Sequence, residues 1–265
     1  MNLLIAFASL VLFEGQDVSK YTKLQAPGVE YRMNRASATT APWLNSNSWR
    51  MKRNAQGQFY MEVPQGSVVL AMAEADAYGA DVVFKIDPKD RPEYDKMAAF
   101  LKAIERPDLK QMANLVVQED GSPVAGEALN LLARRNLLYR VGGAPAKGEL
   151  LVKVTSNDVK NPFEFAQEVR DKLGDDKRLL RIFGSEVVLA NLRGSGKRVR
   201  VHLVNYGRRP IEGIRVRLAG KYQIEKLQAF GEPDSKAEDY TIDGSSTEFS
   251  VSKLPMYAVV DLVAK

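Results

Sequence analysis

Apolar residues recur with a helical period in roughly the first two thirds of the chain and alternate like strands in the last third. A helix is predicted to open at Gly66 and Ser67 and to run to Tyr78. Gly79 then ends it, because glycine readily takes the left-handed conformation that closes a helix. The stretch VVLAMAEADAY is apolar almost all round, so we expect this helix to be buried on several sides.

Three more helices carry start signals. One begins at Arg91, a second is capped by Ser122 with proline at its first position, and a third spans Pro162–Leu173 and closes at a glycine. Short apolar runs at residues 81–86, 113–118 and 149–154 read as strands, and RPDLKQ (106–111) reads as a break. This alternation of strand and helix predicts an α/β region with a mainly parallel sheet over residues 20–178.

From about Leu179 the pattern consists of strands alone. Short alternating runs with turn signals between them predict an antiparallel β-sandwich over residues 179–265. A domain boundary is therefore predicted near residues 175–186. In the run RVRVHLV, one face carries Val199, Val201 and Leu203, and the other carries Arg200, His202 and Val204. We predict that His202, the only histidine of the chain, lies on the outside of the sheet and is dispensable for catalysis.

The apolar run Leu3–Phe13 has the length of a secretory signal and is too short to span a bilayer comfortably. Residues 1–15 are predicted to be an export signal, which would place the protein in the periplasm or outside the cell. A buried N-terminal helix or strand is the alternative. No stable membrane span is predicted.

Charge and residue usage exclude several function classes. The 38 basic and 33 acidic residues are mixed along the chain, so no nucleic-acid partner is predicted. Without cysteine, and with a single histidine, disulfides and thiolate nucleophiles are impossible and most zinc sites are disfavoured. The run GSGK lies between two strands and lacks the spacing of a phosphate-binding loop. No metal or cofactor is predicted.

Three stretches resemble parts of glycoside hydrolases. HLVNYGRRPIEGIRVRL is similar to their C-terminal β-sandwich, and LAMAEADAYGADVVFKID to a helix and strand late in the catalytic barrel of family 42 β-galactosidases. The run from DGSP to LLARRNLLYRV resembles the amidotransferase-like, flavodoxin-like α/β domain of that family. The chain also resembles small exported bacterial proteins of unassigned function. The chain is too short to hold these parts together with a complete (β/α)₈ barrel, which alone takes about 250 residues.

Glycoside hydrolysis needs two carboxylates that flank the scissile bond. The candidates are Glu74 and Asp76 in the buried helix, and Asp87 and Asp120 just beyond predicted strands. Glu74 and Asp76 point to opposite sides of the helix because two residues correspond to about 200° of rotation. The structural alternatives are a hydrogen bond between Glu74 and Tyr78, and turn or cap roles for Asp120.

The densest group of ligand-type side chains lies in a stretch without regular period: Trp43, Asn45, Asn47, Trp49 and Arg50. Aromatic rings with nearby amide and guanidinium groups suit the apolar faces and hydroxyl rims of sugars. In the alternative interpretation, the tryptophans fasten a long loop to the core.

The sequence therefore favours an exported, glycoside-hydrolase-like protein that is not catalytic and binds carbohydrate. Two alternatives stay open. One is an active glycoside hydrolase that uses paired carboxylates, and the other is an envelope module that uses the sandwich as a protein-interaction face. Neither the sugar nor the oligomeric state is predicted.

Overall fold

The computed structural model describes residues 11–12, 18–19, 21–24, 59–80, 82–105, 107–207 and 209–265. Within these ranges the helices are α1 (Val68–Tyr78), α2 (Arg91–Ala103), α3 (Pro123–Arg134) and α4 (Pro162–Leu173). Short 3₁₀ helices cover Pro88–Asp90 and Asp175–Lys177. The strands are β1 (Val11–Leu12), β2 (Thr22–Lys23), β3 (Phe59–Glu62), β4 (Val82–Lys85), β5 (Lys110–Gln111), β6 (Leu115–Glu119), β7 (Tyr139–Val141), β8 (Leu150–Val154), β9 (Leu180–Phe183), β10 (Val188–Ser195), β11 (Arg198–Asn205), β12 (Ile211–Ala219), β13 (Tyr222–Ala229), β14 (Ala237–Asp243), β15 (Ser246–Leu254) and β16 (Tyr257–Ala264).

The predicted helix signals are confirmed. Gly79 closes α1 in the left-handed conformation, with a φ of 62°. The Ser122 hydroxyl accepts a hydrogen bond from the amide of Ala125 at the start of α3. At the start of α4 the Asn161 side chain accepts from two amides, and Gly174 ends the helix where the sequence predicts. Local capping chemistry thus sets the bounds of these helices.

The strands of the α/β region pair in parallel, in two separate sheets. One sheet has the order β1-β4-β3-β2 and the other the order β7-β6-β8. Helices α3 and α4 contact each other and share one apolar core with the three-stranded sheet. The parallel pairing agrees with the predicted α/β region, although the strands divide between two sheets instead of forming one.

Two antiparallel sheets follow, in the orders β13-β16-β11-β10-β5 and β14-β15-β12-β9. Apolar side chains from both sheets form a single core, as in a β-sandwich. Strand β5 belongs to the first of these sheets although it precedes the sandwich by some 70 residues in the sequence. The stretch 106–111, which we expected to be a break, therefore contains a short strand that pairs with β10.

Helix α1 lies between the parallel strands and the outer face of the five-stranded sheet. Its core includes side chains of β3, β4 and α2, together with Leu189, Val204 and Val259 from the sandwich. Every residue of α1 except Tyr78 is buried, which confirms the prediction of a helix buried on several sides. Because α1 covers this face of the sheet, both faces of strand β11 are buried.

The predicted outward position of His202 is consequently wrong. The His202 residue is only 2% exposed, and Arg200 on the same face is 5% exposed. The alternation of apolar and polar residues in β11 is real, but its polar face packs beneath a helix instead of facing water.

The change in secondary structure falls where the sequence predicts it. Helix α4 ends at Leu173, and every element from Leu180 onward in the described part is a strand. Polar contacts cross this point: the Asn114 side chain bonds the backbone at Lys177 and Leu179, and the Asn136 side chain bonds the backbone at Val188 and Ala190. The division into domains at residues 175–186 stays a prediction.

Two observations bear on the membrane and export predictions. Strand β1, within the N-terminal apolar run, pairs in parallel with β4. A strand at this place is what we expect if the apolar run is a buried N-terminal element instead of a signal peptide. Export of the protein stays a prediction. Among the described residues, no helix is both long and apolar enough to cross a bilayer.

Candidate functional site

The two carboxylates of α1 are buried and each accepts a hydrogen bond from a tyrosine. Glu74, with no exposed surface, accepts at Oε1 from the hydroxyl of Tyr206, which lies just beyond the end of β11. Burial, together with the negative charge of Glu74, raises the pKa of Tyr206 well above its ordinary value, although the charge of Arg134 opposes this shift. Tyr206 therefore keeps its proton and serves as the donor.

The predicted partner of Glu74, Tyr78, lies one turn along the same helix. The pKa of the Tyr78 hydroxyl is also raised well above its usual value, by burial first and then by the charges of Glu74 and Tyr139. The Glu74 carboxylate is thus close enough to Tyr78 to raise the pKa of its hydroxyl. The hydrogen bond from Tyr206 to Glu74 connects α1 to the sandwich, and this connection was not predicted from the sequence.

Asp76 belongs to a second buried group, with Tyr257 and His202. The Tyr257 hydroxyl donates to Asp76 Oδ2 over 2.5 Å, and His202 Nδ1 lies 2.7 Å from the same hydroxyl oxygen. With the hydroxyl proton directed at Asp76, the contact with His202 is a hydrogen bond in the tautomer that carries its proton on Nδ1. All three side chains are almost completely buried, with residue exposures of 9%, 0% and 2% for Asp76, Tyr257 and His202.

Further polar contacts join the α1 region to the sandwich. Asn191 of β10 donates to the carbonyl of Ala77 over 2.5 Å and exchanges hydrogen bonds with the amide of Gln111 in β5. Nearby, Arg200 forms a two-point ion pair with Asp261 at 2.7 and 2.8 Å. The end of α1 is therefore held by the Asn191 side chain of β10 as well as by apolar packing.

Glu74 and Asp76 are not arranged as a catalytic pair. They have different tyrosine partners, Tyr206 just beyond β11 and Tyr257 at the start of the neighbouring strand β16, and both carboxylates are buried. A buried carboxylate that accepts from a tyrosine is satisfied where it stands. This arrangement can anchor α1 to the sandwich and fix its rotation.

Asp87 and Asp120 lie elsewhere. Asp87 caps the 3₁₀ helix after β4 by accepting from the amide of Lys89 at 2.8 Å. Asp120 is exposed and accepts from the amide and hydroxyl groups of both Ser122 and Ser156, over 2.6 to 3.0 Å. These hydrogen bonds, the one from the Ser122 hydroxyl foremost, hold the pKa of Asp120 well below its usual range. Asp120 thereby joins the carboxyl ends of the neighbouring strands β6 and β8.

The predicted ligand-binding residues Trp43, Asn45, Asn47, Trp49 and Arg50 lie outside the described residues. Their assignment stays a prediction. In the described ranges, no group of three or more acidic or histidine side chains is placed to hold a metal ion.

Sequence reasoning missed the tyrosine donors. Tyr257 and Asp76 are 181 residues apart in the sequence, and Tyr206 and Glu74 are 132 apart. The sequence does indicate that donors are needed, because two carboxylates in an otherwise apolar, buried helix require hydrogen-bond donors. It does not say which of the chain's ten tyrosines provide them.

The fold was compared with known proteins. No protein-family model and no curated protein sequence matches the chain. Among solved structures, alpha-L-fucosidase isoenzyme 2 from Paenibacillus thiaminolyticus is similar, with a TM-score of 0.59 and 9% identity over 86% of this chain and 64% of that one. A catalytic mutant of a GH42 beta-galactosidase from G. stearothermophilus has a TM-score of 0.50 and 10% identity over 92% of this chain and 59% of that one.

These likenesses concern the fold alone, since sequence identity is near one residue in ten. The match spans less than two thirds of either enzyme. These structural likenesses agree with the resemblance of three sequence stretches to glycoside hydrolases. The fold of this chain resembles part of the fold of these two enzymes.

Proposed function

We propose that the protein binds carbohydrate without cleaving it. The observation that carries this proposal is the burial of Glu74 and Asp76, each bound to its own tyrosine. Hydrolysis by the usual mechanism requires two carboxyl groups about 5–10 Å apart on either side of an accessible glycosidic bond. The two carboxylates of α1 serve the scaffold instead.

The carbohydrate part of the proposal is supported by the fold. The two similar structures are named as a fucosidase and a galactosidase, both of which act on sugars. Binding and catalysis are separable, because the chemistry depends on a few placed side chains while the fold can persist without them. A chain with this fold, in which Glu74 and Asp76 are already hydrogen-bonded to tyrosines, can bind a sugar and yet be unable to hydrolyse it.

The protein-interaction alternative has less support in the described part. A docking face would require a contiguous exposed apolar patch on the sandwich. The large exposed hydrophobic side chains there are Phe183 and Tyr240. They lie on β9 and β14, which are opposite edges of one sheet, so they do not form a common patch.

The Trp43–Arg50 segment is the proposed sugar-binding site, and tryptophan substitutions test it. We expect Trp43→Ala or Trp49→Ala to weaken glycan binding by about 1 kcal/mol or more, because each removes a ring that stacks on a sugar face. Binding is measured on a glycan array and then by calorimetry with the best glycan. Thermal melts of the same variants should change little.

The opposite pattern contradicts the proposal. If the rings fasten the loop to the core, each substitution should cost roughly 3–5 kcal/mol of stability. A large fall in melting temperature, with no glycan retained by the unmodified protein, would show that the tryptophans are structural.

A further inference from the structure

A groove opens between the two sheets of the sandwich, along the edge strands β13 and β14. Its volume is about 440 Å³, within the usual range of ligand pockets of about 300–1,000 Å³. Residues of both strands and of the turn before β14 line it, among them Gln223, Leu227, Ser235, Lys236 and Tyr240. The lining thus combines hydrogen-bonding groups with apolar surface.

Both edge strands are irregular where they border the groove. Strand β13 has a bulge between Ile224 and Lys226, and β14 has one between Glu238 and Thr241, with Asp239 at a φ of 51°. Bulges and lysines on an edge oppose the addition of another strand. The groove is therefore suited to a ligand that does not continue the sheet.

Tyr240 is the aromatic side chain in the bulge of β14. Its hydroxyl donates to the carbonyl of Tyr222 on β13 over 2.7 Å and so spans the groove. The residue is nevertheless 40% exposed. The ammonium of Lys265 lies over one face of the ring, 5.4 Å from its centroid, which leaves the other face for a ligand. A ring held in place yet open to solvent can stack on the apolar face of a sugar.

The side chains that line the groove carry one more positive than negative charge. Lys226 and Lys236 line it, with Glu225 as the acidic member. Glu225 faces Arg198 at 4.0 Å, and Lys236 lies 3.3 Å from Glu238. Among the described residues Lys226 forms no ion pair, so its ammonium can pair with an anionic group on the ligand.

We infer that this groove binds a carbohydrate that carries carboxylate groups, with Tyr240 as the stacking platform and Lys226 as the charge contact. The inference rests on the proposed carbohydrate-binding function and adds to it a second site and a class of sugar. Gln223 can bond hydroxyls of the sugar, and the Ser235 hydroxyl, which donates to the carbonyl of Lys253 over 2.6 Å, can still accept from one.

The test is calorimetric titration of the full chain with tetragalacturonate, compared with its neutral methyl ester. We expect the acid to bind and the ester to bind at least several-fold more weakly. Tyr240→Ala should weaken binding of the acid about tenfold, whereas Tyr240→Phe, which keeps the ring, should stay within about twofold. Lys226→Gln should weaken it about threefold, with a smaller difference at high salt.

Phe183→Ala is the matched control. Phe183 is equally exposed, stands next to an arginine and lies on the opposite edge of the same sheet. Its substitution should leave the affinity for tetragalacturonate unchanged. Melting temperatures of all variants confirm that each is folded.

Four results would overturn the inference: no binding of tetragalacturonate, equal binding of the ester, an unchanged affinity in Tyr240→Ala, or a dimer seated in the groove that the sugar does not dissociate. If other glycans bind and only the tryptophan variants lose them, the groove is excluded and the proposed function stands. If the array shows no bound glycan at all, the inferred groove site and the proposed carbohydrate-binding function are both wrong.

Discussion

Replacing Glu74 with alanine is expected to lower the free energy of unfolding by about 2–4 kcal/mol. The substitution removes a fully buried side chain. It also leaves the Tyr206 hydroxyl without the carboxylate that accepts its hydrogen bond. A buried donor left unsatisfied costs about 1–3 kcal/mol, and the cavity adds to this cost. Urea unfolding followed by circular dichroism measures the change.

Glu74→Gln is the matched variant, because its amide oxygen can still accept from Tyr206 and its shape is conserved. We expect it to recover at least half of the stability that Glu74→Ala loses. If Glu74→Ala were as stable as the parent protein, within about 0.5 kcal/mol, Glu74 would not anchor α1 and its burial would need another explanation.

The second large effect is expected at Tyr257. Tyr257→Phe keeps the ring and removes the one hydroxyl that links Asp76 to His202. We expect a loss of about 2–3 kcal/mol, since hydrogen bonds to charged groups in buried positions are worth more than neutral ones. Tyr240→Phe is the control: it also removes a tyrosine hydroxyl bond, but at an exposed position.

A double-mutant cycle separates this hydrogen bond from general packing. Asp76→Ala and Tyr257→Phe should show a coupling energy of about 1 kcal/mol or more, because each substitution removes one partner of a direct hydrogen bond. Additive effects of the two substitutions would argue that Asp76 and Tyr257 are buried side by side without a stabilising bond.

Helices and strands of this chain could be predicted from local chemistry. The cap at Ser122, the glycine stops at Gly79 and Gly174, and the span Pro162–Leu173 all depend on neighbours within a few residues. The alternating strands after Leu179 follow from the same kind of short-range pattern. These predictions are confirmed because tertiary packing reinforces what the local sequence already favours.

Placement of His202 could not be predicted in this way. Its strand shows the alternation of a half-exposed strand, and only the docking of α1, more than 120 residues earlier in the sequence, turns that face inward. The two-residue strand β5 was not predicted for a similar reason: its sequence carries no strand signal, and it forms only because it pairs with the distant strand β10. Long-range partners are properties of the fold, and they decide whether a polar residue is solvated or buried.

The role of Glu74 and Asp76 could not be predicted from the sequence either. Carboxylates that interrupt an apolar helix are the pattern of a buried functional site and also of a buried anchor. The distinction depends on whether the two groups share an accessible cleft. The separate tyrosine partners of Glu74 and Asp76 favour the anchor.

The most direct measurement is product analysis on a glycan that the protein binds. The glycan is incubated with the full chain at high protein concentration, and the mixture is resolved by chromatography with mass detection. The account predicts that the glycan is recovered intact while binding persists. Release of a shorter sugar that is abolished in folded Glu74→Gln or Asp76→Asn protein would contradict it, because it would show that these buried carboxylates perform hydrolysis.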